Sequence, residues 1–186
     1  GYMRTRLNLS PDQAEAMGLR YLREYGTTMR GLQTEHQIDT DDYLRHVHDL
    51  PLPQFLQPNP ELEAVLASIP EEKVVFTIAS REHAERVLEV LGIRRQLDRI
   101  FDIRDMDYEN KPDPSAYQRV CDLLGVLPKE CVLVEDNIRN LLPAKALGMV
   151  TVLVQDGQES SRDGVDYVIG RIEEIGSVLR EIRCAK

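Results

Sequence analysis

The chain has 186 residues, 42% of them hydrophobic and 30% charged, which is ordinary for a globular protein with a hydrophobic interior. Its formal net charge of -9 argues against a nucleic-acid partner or an anionic membrane, because no basic excess would neutralise phosphate groups. No apolar stretch approaches the roughly 20 residues that a membrane span needs, and no signal-peptide pattern opens the chain. Three cysteines without metal-ligand spacing (Cys121, Cys131 and Cys184) are typical of reduced thiols, so we expect a cytoplasmic protein.

Residues 1–50 are predicted to form helices only. Ser10-Pro11-Asp12-Gln13 has the pattern of a capping box with proline at the first helical position. An amphipathic helix follows as far as Tyr25, and two further helices begin near Thr28 and Asp39. This part of the chain is therefore predicted to be a small helical domain.

Two sets of side chains in the helical domain could be taken for binding groups. His36, His46 and His48 suggest a metal, but positions 46 and 48 are two residues apart on one helix and cannot face one ion together. Tyr21 and Tyr25 lie four residues apart on one helix face and could stack on a base. Packing inside the helical domain is the stronger interpretation of these tyrosines.

After four prolines in residues 51–60, helices and strands alternate, which predicts right-handed crossovers and a mainly parallel sheet with helices on both faces. The predicted strands are 74–78, 100–103, 132–135, 150–154 and 167–169. The predicted helices are 61–68, 81–91, 114–124, 138–147 and 172–182. The predicted fold class is thus α/β, with a helical domain 1–50, a linker 51–60 and a Rossmann-like core 61–186.

The segment Val132–Asn137 is an apolar run that ends on two adjacent acids and then enters a helix. A strand of this kind delivers Glu135 and Asp136 to its carboxyl end, where open α/β sheets bind ligands. Asp136 could instead cap the helix that follows, and this stretch alone does not decide between the two.

Polar side chains also follow two other predicted elements. Thr77 and Ser80 come after an apolar strand, and Lys111 lies directly before a helix. A hydroxyl, an ammonium group and carboxylates at one sheet edge form a site suited to a metal-bound phosphoryl group. The order and spacing of these residues favour this interpretation over three unrelated surface positions.

These residues resemble the motifs of a known family. Thr77, Lys111-Pro112-Asp113-Pro114 and Glu135–Asn140 look like motifs two, three and four of the haloacid dehalogenase (HAD) superfamily of hydrolases. The helical domain resembles the cap of its first subclass. Within that subclass, Tyr21–Gly31 and Val47-His48-Asp49 are similar to the pyrimidine 5'-nucleotidase-like branch.

The resemblance implies a Mg²⁺-dependent phosphatase that hydrolyses a small phosphorylated metabolite, such as a nucleoside 5'-monophosphate, through an aspartyl-phosphate. Thr77 and Ser80 would bind the substrate, and Lys111 would bind it and stabilise the transferring group. Asp136 would hold Mg²⁺, supported by Glu135 and Asn140. The cap would close over the site, and a homodimer is left open as the assembly.

Two departures from the family pattern stand out. Ile78 follows Thr77 where the branch usually has asparagine. The first motif, a strand ending Asp-x-Asp-x-Thr that supplies the nucleophile, is absent from residues 1–186. Asp105-Met106-Asp107 has the right spacing, but its lead-in is short and polar, so we do not expect it to replace the motif.

In the family fold, the first strand lies between the strand of Thr77 and the strand of Glu135. Its loss would leave two inner edges with unpaired backbone groups, each costing on the order of 1–3 kcal/mol when buried. Three outcomes are open: the two strands pair directly, another segment or chain fills the gap, or the sequence is part of a longer protein. We expect a chain that lacks its first segment.

Other functions compete with the phosphatase. The missing nucleophile would also suit a catalytically inactive binding module that keeps the pocket. A haloacid dehalogenase needs no Mg²⁺, so the Glu135–Asp136 pair weighs against it. A sugar-phosphate mutase would differ from a phosphatase chiefly in its cap.

Overall fold

The computed structural model describes residues 1–156 and 163–184. The chain divides into two compact units, Gly1–Phe55 and Leu56–Lys186. The division falls inside the predicted linker 51–60.

The first unit is helical, as predicted from its apolar spacing. Its helices are α1 (Tyr2–Arg6), α2 (Pro11–Tyr25), α3 (Thr28–His36) and α4 (Thr40–Val47). The predicted capping box forms: the Ser10 hydroxyl accepts from the Gln13 backbone N–H at 3.2 Å, and the Gln13 side chain accepts from the Ser10 N–H at 2.9 Å. Helix α1 was not predicted from the sequence.

Tyr21 lies at the centre of the first unit. Its side chain is fully buried, and its hydroxyl donates to the Glu35 carboxylate at 2.9 Å. Tyr25 donates to the same carboxylate at 3.0 Å, and His36 Nε2 lies 2.9 Å from the Tyr21 hydroxyl. Arg20 completes the cluster with two hydrogen bonds to Glu35, at 2.7 and 2.6 Å. Both tyrosines therefore pack and hydrogen-bond within the unit, as the stronger interpretation expected.

This cluster makes the stability of the first unit sensitive to acid. The hydrogen bonds from Arg20 lower the pKa of Glu35 from 4.5 to about 2. A carboxyl group with a lowered pKa in the folded state stabilises the fold above its unfolded pKa, and that contribution is lost as pH falls towards the folded pKa. We expect Glu35→Gln to lower the free energy of unfolding at pH 7, and the difference from the unmodified chain to shrink between pH 4.5 and about 2.

Chemical denaturation at a series of pH values measures this difference. Glu24→Gln is the matched control, because Glu24 is exposed and bonds the same Arg20 at 3.3 Å. Glu24 accepts a single hydrogen bond in this cluster, whereas Glu35 accepts four, so the control should change stability less. A Glu35→Gln effect that stays constant from pH 7 to pH 2 would contradict the assignment.

The second unit alternates helices and strands. Its strands are β1 (Val74–Phe76), β2 (Arg99–Phe101), β3 (Val132–Glu135), β4 (Val150–Val154) and β5 (Tyr167–Ile169). Its helices are α5 (Pro60–Ala67), α6 (Arg81–Leu91), α7 (Pro114–Leu124), α8 (Ile138–Ala146) and α9 (Ile175–Cys184). The predicted α/β fold with parallel strands flanked by helices is confirmed.

The strands of the described residues form two parallel sheets. β1 pairs with β2, and β3, β4 and β5 pair in that order. Within the described ranges 1–156 and 163–184, β1 and β3 do not pair with each other. Of the outcomes considered for the missing strand, direct pairing of its two neighbours is therefore excluded.

Several predicted bounds were wrong at the ends of elements. The strand predicted over 74–78 ends at Phe76, because the Thr77 hydroxyl accepts from the Ala79 N–H at 3.1 Å and turns the chain. The strand predicted over 100–103 is Arg99–Phe101, because the Asp102 carboxylate accepts backbone N–H groups and closes a loop. The helix predicted over 172–182 begins as a 3-10 turn, and its α-helical part runs to Cys184.

No helix in the described part of the chain is long and apolar enough to cross a membrane. The three cysteines carry free thiols: Cys121 is buried, Cys131 is half-buried and Cys184 is exposed.

Candidate functional site

The site lies in the second unit, at the carboxyl ends of β1 and β3. Thr77 follows β1 directly, and its hydroxyl accepts from the Ala79 N–H at 3.1 Å. Because that bond uses an oxygen lone pair, the hydroxyl hydrogen can still be donated to a ligand oxygen.

Lys111 connects the ends of the two strands. Its Nζ donates to the Phe76 carbonyl oxygen at 3.1 Å and to Glu135 Oε2 at 2.6 Å. The side chains of Lys111 and Glu135 are only 10% and 11% exposed, so their attraction is weakly screened. Lys111 Nζ also lies 4.8 Å from the centre of the Phe76 ring. The contacts therefore hold the ammonium group beside the residue that precedes Thr77.

Glu135 receives several donors. Burial alone would raise the pKa of its carboxyl group, but the hydrogen bond and charge of Lys111 outweigh burial. Hydrogen bonds with Asp136 and with the Asn140 side chain act in the same direction, so the pKa of Glu135 is lowered. Glu135 is thus a carboxylate whose negative charge orients Lys111.

Asp136 behaves differently from its neighbour. Its hydrogen bond with Glu135, together with burial and the Glu135 charge, raises the pKa of Asp136. The cap of α8 is Asn137, whose side chain accepts from the Arg139 N–H at 3.1 Å. The simple alternative that Asp136 is the helix cap is therefore wrong.

The pair of acids fits a divalent cation in part. Two adjacent carboxyl groups with one lysine as counterion leave surplus negative charge when both are ionised. Mg²⁺ is typically held in proteins by one or two carboxylates, its other positions being filled by water and substrate oxygens. Among residues 1–156 and 163–184, no group of three or more His, Cys, Asp or Glu side chains is placed to hold a metal. Asp136 and Glu135 would thus supply only part of the coordination.

The remaining predicted site residues have structural partners. Ser80 is 5% exposed and caps α6, its hydroxyl accepting from the His83 N–H at 3.4 Å. The Asn140 side chain bonds Glu135, and the Asn140 carbonyl oxygen accepts from the Tyr117 hydroxyl at 2.7 Å.

Sequence reasoning missed Phe76 and Tyr117. Phe76 contributes its carbonyl oxygen and ring to Lys111, and Tyr117 packs edge-on against that ring at 5.3 Å. A phenylalanine within an apolar strand carries no signal of this role, since a backbone oxygen is independent of residue type. Tyr117 did carry a signal, because it is a residue with a polar hydroxyl among the apolar positions of α7.

Asp105 and Asp107 serve the loop after β2. Asp105 accepts from Arg81 Nη2 at 2.7 Å, and Asp107 pairs with Arg119 at 2.9 Å. Their partners are surface arginines rather than Lys111.

Comparison with known proteins identifies the family. Residues 6–148 match the haloacid dehalogenase-like hydrolases. The chain belongs to this family. It is 27% identical over 179 residues to "Phosphate metabolism protein 8" of Saccharomyces cerevisiae, covering 87% of this chain and 56% of that protein. It is also 27% identical over 137 residues to "Phosphorylated carbohydrates phosphatase" of Thermotoga maritima, covering 69% of this chain and 62% of that protein.

A solved structure shows the same fold. The HAD phosphatase from Thermococcus onnurineus superposes with a TM-score of 0.66 at 20% identity, covering 95% of this chain and 84% of that one. The chain spans 56% and 62% of the lengths of these two curated relatives. The predicted HAD resemblance is confirmed at the level of the family.

Proposed function

We propose that this hydrolase is a Mg²⁺-dependent phosphatase acting on a small phosphomonoester, a nucleoside 5'-monophosphate being the first candidate. The nucleophile that forms the aspartyl-phosphate would come from polypeptide outside residues 1–186. A relative named for removing phosphate from carbohydrates supports a phosphorylated metabolite as substrate. The choice of a nucleoside 5'-monophosphate as the first candidate substrate rests on the resemblance of Tyr21–Gly31 to the nucleotidase-like branch.

The observation that carries the proposal is the position of Lys111. Its ammonium group bonds both the end of β1 and Glu135. A nearly buried cation at the end of the strand that Thr77 follows can offset charge that develops during transfer, and the Thr77 hydroxyl can donate to a phosphoryl oxygen. A lysine without a function usually extends into solvent, whereas Lys111 contacts the Phe76 carbonyl oxygen, the Phe76 ring and the Glu135 carboxylate.

Each residue then has one task. Thr77 donates to a phosphoryl oxygen, Lys111 stabilises the transferring group, and Glu135 holds Lys111 in place. Asp136 would hold Mg²⁺, which supplies charge neutralisation on the phosphoryl oxygens. Asn140 orients Glu135, and Ser80 shapes the turn after Thr77 as the cap of α6.

Phosphate release tests the proposal. The longest form of the protein that its gene encodes is assayed with pyrimidine nucleoside 5'-monophosphates and phosphorylated sugars, with and without Mg²⁺. We expect turnover that needs Mg²⁺ and falls at least about 100-fold in Asp136→Asn, as expected when charge stabilisation of the transition state is lost. Asp122→Asn, which changes an exposed acid on α7, should retain activity.

The competing functions give different results. Formation of a stable complex with beryllofluoride requires an aspartate nucleophile and would exclude an inactive binding module. Metal-independent turnover of a haloacid would favour a dehalogenase. Isomerisation of a sugar phosphate without net phosphate release would favour a mutase. Absence of turnover of any phosphoester would refute the phosphatase.

A further inference from the structure

Two of the three cysteines meet in the second unit, although they are 10 residues apart in the sequence. Cys121 lies on the buried face of α7, and Cys131 directly precedes β3. Their thiols form a side-chain hydrogen bond with each other. The Cys131 thiol in turn donates to the Leu127 carbonyl oxygen at 3.6 Å, so the Cys131 sulfur accepts from the Cys121 thiol. The fold thus brings together two sulfur atoms that no sequence spacing had paired.

A third sulfur-bearing side chain lies on the same wall. Met149 is buried and directly precedes β4. Val132 pairs with Val150, and the Val150 N–H donates to the Cys131 carbonyl oxygen at 3.0 Å. Continuing this register by one residue places Met149 beside Cys131, and side chains of paired residues point to the same face of a sheet. Cys121, Cys131 and Met149 accordingly line one cavity of about 190 Å³.

The other side chains that line this cavity are poor metal ligands. Among the described residues around it, only Lys111 and Tyr117 carry side-chain nitrogen or oxygen. Lys111 bonds Glu135, and the Tyr117 hydroxyl donates to the Asn140 carbonyl oxygen. The remaining lining residues are aliphatic or aromatic. The donors available to an ion here are therefore two thiols and a thioether.

Both thiols are protonated at neutral pH when no metal is bound. Burial raises the pKa of Cys121 to about 12, and its contact with Cys131 acts in the same direction. Burial also raises the pKa of Cys131, although the hydrogen bond from Cys121 opposes it. The charges of Asp122 and Glu130 raise the two values further. A neutral pair can lie in an apolar interior without repulsion, and a metal that binds it must displace the protons.

The number and kind of these donors decide which ion they suit. Zn²⁺ in structural sites takes four ligands, and Mg²⁺ and Ca²⁺ take oxygen ligands. Thiolate and thioether sulfur instead select Cu⁺. Two cysteines and one methionine therefore match a soft monovalent cation better than any of these divalent ions.

We propose that Cys121, Cys131 and Met149 form a binding site for the soft cation Cu⁺. The ion bonds the two cysteine sulfur atoms, and the Met149 thioether is the weaker third ligand. Two S–H bonds break, two S–Cu bonds form, and both protons pass to the solvent. The ion enters past Cys131, since Cys131 is half-buried whereas Cys121 is only 1% exposed. None of the three ligands belongs to the phosphoryl site, so the proposal does not depend on the proposed function.

Competition with the Cu⁺ chelator bicinchoninate, in the absence of oxygen and with ascorbate as reductant, measures the affinity. The protein form that is assayed for phosphate release should bind one more equivalent of Cu⁺ than its Cys131→Ser variant. Even the partners of metal ligands change affinity by roughly 10- to 100-fold, so removing a ligand should weaken binding by more than about 100-fold. Cys184→Ser is the matched control, because this thiol is exposed near the end of α9, and it should leave the affinity unchanged.

Met149→Leu tests the third ligand. Leucine approximately keeps the volume of methionine but has no sulfur atom. We expect a roughly tenfold loss of affinity, smaller than the loss on removing a thiol. X-ray absorption at the copper edge should show three sulfur neighbours in the unmodified protein and two in this variant.

Thiol alkylation gives a readout that does not depend on how well the variants fold. With free Cu⁺ held by the chelator at about ten times the dissociation constant, alkylation of Cys131 by iodoacetamide should be about tenfold slower. A sulfur atom bonded to the ion is not available to the reagent. Alkylation of Cys184 should keep its rate and serves as the internal reference.

Three results would each overturn the site. They are an unprotected Cys131, nitrogen or oxygen neighbours in place of sulfur in the absorption spectrum, and binding of Zn²⁺ as tight as that of Cu⁺. A failure of the proposed function is distinguishable from these results, because none of the measurements uses turnover of a phosphoester.

Discussion

Replacing Lys111 with methionine is expected to lower phosphate release by about 100- to 1000-fold, the range for loss of one preorganised donor to a developing charge. Methionine keeps the unbranched chain except for its last atom, and so removes the ammonium group that bonds Phe76 and Glu135. Initial rates with the best substrate from the phosphoester panel measure this loss. An unchanged rate would show that Lys111 lies outside the reacting site.

The same substitution should also destabilise the second unit. It leaves the Glu135 carboxylate, 11% exposed, without its counterion, and breaking a buried pair costs about 3–5 kcal/mol. Lys111→Met with Glu135→Gln removes both charges, so we expect it to recover much of the stability and none of the activity. Urea denaturation of the single and double variants gives the coupling.

Lys129→Met is the matched control for Lys111→Met. Lys129 is exposed in a short 3-10 turn before β3, so the same chemical change there should leave both activity and stability nearly unaltered.

The Lys111→Met/Glu135→Gln double variant has an outcome that would contradict this account. If it stays as unstable as Lys111→Met alone, Lys111 stabilises the unit through its packing and not through Glu135.

Gly31→Ala is expected to destabilise the first unit by about 3 kcal/mol, at the upper end of typical overpacking. A Cβ atom at Gly31 would lie 2.2 Å from Tyr21 Cγ and 2.7 Å from Tyr21 Cβ. Tyr21 is fully buried and bonded to Glu35, so it has no free space to move into. Urea denaturation followed by tyrosine fluorescence measures the effect, since the chain has no tryptophan.

Gly18→Ala is the control within the same unit. A Cβ atom there would lie 3.6 Å from Met3 Cε, an ordinary contact, so alanine should stabilise α2 by up to about 1 kcal/mol through its helix propensity. In a Tyr21→Ala background, Gly31→Ala should cost little, because the clashing ring is gone. An undiminished cost in that background would place the strain elsewhere.

Local sequence signals predicted the elements of this protein well. The capping box at Ser10, the alternation of helices and strands after residue 60 and the two acids at the end of β3 all depend on residues close together in the chain. Errors occurred at element ends, where side chains such as Thr77 and Asp102 hydrogen-bond the backbone and end a strand early. Helix α1 was missed because five residues are too few for a periodic pattern.

Motif residues at strand ends could be predicted because a parallel sheet brings the carboxyl ends of its strands to one edge. The sequence could not show which of these residues contact one another. The bonds of Lys111 to Phe76 and Glu135 join residues 35 and 24 positions apart, and their geometry depends on how α7 packs on the sheet.

The sequence by itself therefore determined the secondary structure, the family and the residue types of the candidate site, because each follows from local pattern. Only the tertiary structure decided that Asn137 and not Asp136 caps α8, that Gly31 touches Tyr21, and that β1 and β3 do not pair with each other in the described part of the chain. These features depend on distances between segments remote in sequence, which packing sets and which no short stretch of residues encodes.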